Sequence, residues 1–245
     1  MGMLDKAKLI GADLKNHLPF TLLGAATGIV FMLAGRQWFA EQAETLFSVF
    51  HPLHVVLSAM VTAALFEIHR KVKKFLLILV IGMVGSIGVA TLSDCILPYF
   101  GESILGATIP THAAVHEHAD GHLCEEDHGE HHAKLHLGFV EEWYLVFPAA
   151  IIGVLLAYFK PTTHLPHASH VLLSTWASSA YMLMNTRADM TAALLLGMFI
   201  VLFLAVWLPC CLSDIVFPLL FIGSDGQHHP HSCVFCRKKD KHDES

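Results

Sequence analysis

The sequence predicts an all-α, polytopic membrane protein of about six transmembrane helices, arranged as two inverted three-helix repeats. Three observations predict it. Hydrophobic residues make up 54% of the 245 residues and charged residues 15%, and the charges gather at the ends of long apolar runs instead of being spread as on a soluble surface. Lys and Arg are shared unevenly between alternate connecting segments. Two motifs recur, in the same order, in the two halves of the chain. No basic stripe or nucleic-acid motif is present, so the expected partner is the lipid bilayer, not nucleic acid.

Taken in order, residues 1–16 are charged and amphipathic and lack a cleavable signal pattern, so the first apolar run is expected to be kept as a span. That run is 18–35. The second is 46–68 and the third 75–97, with an apolar patch at 104–109 that extends the third as a half-helix. The fourth is 139–159 and the fifth 165–184. The sixth, 190–222, exceeds one span and carries Pro209, which marks a kink or a break. The expected organisation is a first repeat over 1–110, a His-rich loop over 111–136, a second repeat over 137–223 and a His/Cys tail over 224–245. Cys95, Cys210 and Cys211 lie in apolar runs, where a thiol is a small apolar group, so no disulfide framework is read.

With the N-terminus inside, twelve of the fifteen Lys and Arg residues fall on the cytoplasmic side, and only Arg36, Lys134 and Arg187 fall outside. The expected location is the cytoplasmic (inner) membrane, with both termini cytoplasmic and the His-rich loop outside.

The repeat rests on HxxHVxLS, at 51–58 and again at 167–174, and on LSDxxxP, at 92–98 and again at 212–218. Three helices per half is an odd number, so the second half is inverted relative to the first. In that architecture substrates and ions bind near the bilayer midplane, between the repeats. Histidines three apart share one helix face, and a serine four further on returns to it. His51, His54 and Ser58 thus form one stripe, with His167, His170 and Ser174 as its counterpart. Asp94 and Asp214 add one carboxylate to each half. Ionisable groups inside a membrane are costly and face the bundle interior. Four imidazoles and two carboxylates suit a divalent ion of the zinc, iron or manganese class. His51, His54, Asp94, His167, His170 and Asp214 are therefore the candidate ligands, and Ser58 and Ser174 are auxiliary.

The loop holds eight histidines between His112 and His136, among acidic residues and Cys124, and reads as a metal-binding tract. In the tail, Cys233 and Cys236 form a CxxC beside His228, His229 and His231, a second auxiliary ligand group. Glu141 and Glu142 sit where carboxylates favour a helix N-terminus, and Glu67 lies beside basic residues. None of these three is assigned as a ligand.

The segments HPLHVxLSA, SDCxxPYxG and PHxSHVxxS resemble a group of bacterial multi-helix (ten-helix) membrane proteins described as heavy-metal exporters and variously labelled manganese or arsenic efflux proteins. His51, His54, Ser58, Ser93, Asp94, Pro98, Pro166, His167, His170 and Ser174 carry the resemblance, which extends through both halves. It implies export, which spacing alone does not supply. The resulting expectation is a divalent transition-metal exporter whose substrate ion lies between the repeats, with proton coupling through histidine. Such a fold leaves room for a homodimer. The alternative is a membrane-embedded metalloenzyme of hydrolase type using the same His/Asp cluster, although the sequence lacks HExxH.

Overall fold

The computed structural model describes residues 3–38, 40–70, 74–107, 137–160, 164–186 and 189–220, and every regular element among them is helical. The order is α1 (Met3–Trp38), a short 3-10 turn (Ala40–Gln42), α2 (Ala43–Arg70), α3 (Phe75–Thr91), a π-helical turn (Leu92–Ile96), α4 (Leu97–Leu105), α5 (Gly138–Glu141), α6 (Trp143–Phe159), α7 (His164–Asn185) and α8 (Ala192–Leu220). The His-rich loop over 111–136 and the tail over 224–245, with Cys124, Cys233 and Cys236, lie outside the described residues.

Among the described residues, four stretches are long and apolar enough to cross a membrane: Leu18–Arg36, Ala43–Glu67, Phe75–Leu105 and Ala192–Cys210. The third differs from the sequence reading. No separate half-helix follows a span ending near 97. One rod runs through to Leu105, interrupted only by the π-helical turn, and stops at Gly106. Gly106 has φ 64°, the left-handed geometry that closes a helix and that glycine adopts without a Cβ penalty. The last run passes through Pro209 as a single helix. α6 is shorter, and α7 carries more polar residues.

The burial pattern inverts that of a soluble protein. On α8, Leu196, Ile200, Leu204 and Leu208 recur every four residues as one exposed stripe, and on α3 Leu76, Val80 and Val84 do the same. Polar groups instead turn inward. α2 buries His51, His54, Ser58 and Thr62, and α7 buries His170, Ser174, Thr175, Ser178 and Ser179. In water this arrangement would expose apolar stripes at a cost in free energy. In a bilayer the acyl chains solvate them, and the polar stripes find partners inside.

α2 is the centre of the bundle, packed against α7, α6 and α3, while α1 packs on α7 and α8. Small residues allow the close approaches. Gly24 and Gly28, one turn apart on α1, face Thr175 and Ser179, one turn apart on α7. A Cβ at Gly24 would fall 2.6 Å from Thr175 Oγ1. Gly153 on α6 lies against the Val56 backbone carbonyl of α2. Lipid tails are as apolar as Leu, so this intimate packing, not the hydrophobic effect, holds such helices together. Around it, Ala59, Ala63 and Phe66 of α2 join Ile78 and Ile81 of α3 and Val154 and Ala157 of α6 in one cluster.

Candidate metal site

The site is built on the π-helical turn. Pro98 stands four residues after Asp94. Its ring has no N–H to offer the Asp94 carbonyl and would crowd that carbonyl in a regular α-helix. Widening by one residue per turn over Leu92–Ile96 relieves the clash and frees backbone carbonyls inside the bundle. α7 answers that need: the single Ser178 Oγ proton is shared between the Ser93 carbonyl at 3.0 Å and the Ser174 carbonyl of its own helix at 2.8 Å. The widened turn also places Ser93, Asp94 and Cys95 in the fully buried interior.

Asp94 is the hub. Its Oδ2 accepts from His51 Nδ1 at 3.0 Å and from His54 Nδ1 at 2.7 Å. Its Oδ1 accepts from Ser93 Oγ and from Ser174 Oγ, each at 2.7 Å. A carboxylate only accepts, so both Nδ1 atoms carry the proton, and a ring without a second proton presents a lone pair at Nε2. Both Nε2 atoms are buried and have no hydrogen-bond partner among the described residues. Three segments thus converge on one carboxylate: α2 with two imidazoles, the π-helical turn with the acid and a serine, and α7 with Ser174.

Stacking fixes the rings. His51 lies flat on Phe47, with centroids 5.0 Å apart and planes 10° from parallel. Gly138, at the start of α5, covers its edge: a Cβ there would sit 2.7 Å from His51 Nε2. His54 stacks on His170 of α7 at 6.0 Å and 11°. These two histidines hold matching positions in the two HxxHVxLS motifs, and both are buried.

Of the residues singled out in the sequence, the structure therefore brings together His51, His54, Asp94, His170 and Ser174. Ser58 is buried on the same face of α2, one turn beyond His54. His167 and Asp214 lie on the α7 and α8 backbones, and their side chains are outside the described residues. Among the described residues, no three His, Cys, Asp or Glu side chains form a ready-made ligand set. The reason is visible at Asp94, whose oxygens are taken by imidazole and serine.

Several partners were not singled out by sequence. Ser178 follows Ser174 by one turn, a legible signal. Phe47 and Gly138 carry no polar signature. Glu142, which the sequence reading set aside as a ligand, occupies the break between α5 and α6, is nearly buried, and accepts from Ser48 through Oε1 while Oε2 has no partner among the described residues. Glu67 Oε2 also has no partner among the described residues.

The fold and the site together define a multi-pass, all-helical membrane protein with a buried histidine–carboxylate cluster. No family model, no curated protein and no solved structure matches the chain.

Proposed function

We propose that the chain carries a divalent transition-metal ion, of the zinc, iron or manganese class, across the cytoplasmic membrane. One observation carries the reading. Two imidazoles inside the bundle give their Nδ1–H groups to one buried carboxylate and hold their Nε2 atoms, buried and unpartnered among the described residues, for another ligand. Metal-binding histidines are held in this way, with a carboxylate fixing the tautomer and raising the basicity of the free nitrogen. Asp94 then serves as a positioning residue through His51 and His54. His170 stands across the helix pair, and His167 and Asp214 are the second half's contribution by sequence. The ion is substrate, so an incomplete set in any one state suits a site that must release it.

The inverted repeat belongs to the same proposal. Exchanging α1 with α6, α2 with α7 and α3 with α8 maps the packing of α2 on α6 onto that of α7 on α1, and that of α1 on α8 onto that of α6 on α3. Six spans follow if α6 and α7 also cross. At 1.5 Å per residue they reach about 26 Å and about 33 Å, against a hydrocarbon core of about 30 Å. The polar face of α7 is turned to the site, which lowers its hydropathy without barring it from the bilayer. The outward direction rests on the resemblance to exporters, and proton coupling rests on competition between proton and metal for Nε2.

The test is ion flux in proteoliposomes, with a panel of divalent ions and an imposed pH gradient. Transition-metal flux that responds to the gradient and falls in His54→Ala is the expected result. Absence of flux for every ion from folded protein overturns the reading. Orientation has its own measurement: an impermeant thiol reagent on intact cells should reach Cys124 and spare Cys233 and Cys236, and the reverse pattern overturns it.

A further inference from the structure

Glu102, two turns past Asp94 on α4, has no place in the site above, yet it is fully buried. Its Oε1 accepts from Thr186 Oγ1 at 2.7 Å. Its Oε2 is buried without a hydrogen-bond partner among the described residues. Thr186 and its neighbour Asn185, at the end of α7, line a cavity of about 430 Å³ together with Arg36, Glu41 and Glu44. Glu102 thus lies behind the wall of a polar cavity, joined to that wall by the Thr186 hydroxyl.

The surrounding charges are few. α4 packs against the π-helical turn, α7 and α8. The turn offers Asp94, engaged by His51 and His54, and the Cys95 thiol. α7 offers Tyr181, with His164, His167 and His170 towards its other end, and the described side chains of α8 add only Cys210. Tyr99 is on α4 itself. Across the cavity stand Glu41, Glu44 and Arg36, the last paired with Asp189 at 3.5 Å.

A carboxylate in the membrane interior with one oxygen bare needs a positive partner. Metal cations with oxygen ligands gather about six or more of them, while Glu102, Thr186 and Asn185 supply fewer. A proton needs only one oxygen. We propose that Glu102 is a proton-binding carboxyl: an O–H bond forms at Oε2, with the proton taken from and returned to water in the cavity. The proton site stands on its own geometry. Its coupling to cargo rests on the transport reading.

Infrared difference spectroscopy on the full-length chain in lipid, with pH stepped in H2O and D2O, tests it. The expected result is a carboxylic-acid carbonyl band that responds to pH, is missing in Glu102→Gln, and moves to higher frequency in Thr186→Val, where Oε1 loses its donor. Identical spectra for the wild type and Glu102→Gln overturn the proposal. Should Glu102→Gln fail to fold, an unshifted band in folded Thr186→Val overturns it instead. Loss of the band on adding sodium or calcium at constant pH makes Glu102 a metal-cation site and also overturns it. Intact proton binding in a chain that moves no metal would leave this site standing and remove the transport reading alone.

Discussion

The same seven-residue pattern, LSDxxxP, takes two backbone forms in this molecule. At 92–98 it opens into a π-helical turn, while at 212–218 it stays within the continuous helix α8. The proline is common to both, so a proline four residues after the aspartate permits the wider turn but does not impose it. In the first half, partners on other helices are in place to hold the widened form: Ser178 on the freed Ser93 carbonyl, Ser174 on Asp94 Oδ1, and two imidazoles on Oδ2. A π-turn is therefore a tertiary outcome, and it is the feature that swings Asp94 into the interior.

The sharpest way to break the comparison is to remove the hub. Asp94→Ala leaves two imidazole N–H groups buried without their acceptor, and should cost about 1–3 kcal/mol for each. Thermal unfolding in detergent reads this. If Asp94→Ala and Asp214→Ala are equally mild, the first-half cluster is not the organising centre described here.

Ligand loss comes next. His54→Ala and His170→Ala should each weaken metal binding tenfold or more, about 1.4 kcal/mol, with a non-additive double mutant because the two residues share one ion. Calorimetric titration of folded protein separates this from instability. Wild-type affinity in the double mutant sinks the shared site. Lower pH should weaken binding in the wild type, because protonating Nε2 removes the lone pair the metal needs.

Gly138→Val probes the cover over His51. The added side chain meets the imidazole edge and should cost about 1–3 kcal/mol by overpacking, with reduced metal affinity. An unchanged affinity would place His51 Nε2 off the binding path. Ser178→Ala should cost about 0.5–1.5 kcal/mol, the net value of one hydrogen bond. A much larger loss would show that the π-helical turn depends on this one donor.

The smallest effect is expected on the outer face. Ile200→Ala exchanges one lipid contact for another, and its unfolding midpoint should stay close to that of the wild type. A large loss there would argue that the α8 stripe meets protein, such as a second copy of the chain, and not lipid.

The sequence by itself determined the class of protein. Apolar runs of bilayer length, with charges at their ends, leave a chain few alternatives to membrane helices, because backbone groups in hydrocarbon must bond within the helix. It also singled out His51, His54, Asp94, His167, His170 and Asp214, with Ser58 and Ser174, since helical spacing sets which residues share a face and ionisable groups turn inward; of these the structure brings His51, His54, Asp94, His170 and Ser174 together. Only the tertiary structure decided what each one does. It continued the third run to Leu105 as one rod, gave Asp94 to the histidines through Nδ1, and set Gly138 and Phe47 against His51. These outcomes depend on which atom of a side chain meets which neighbour from another helix. Residue spacing along a single helix carries no information about that.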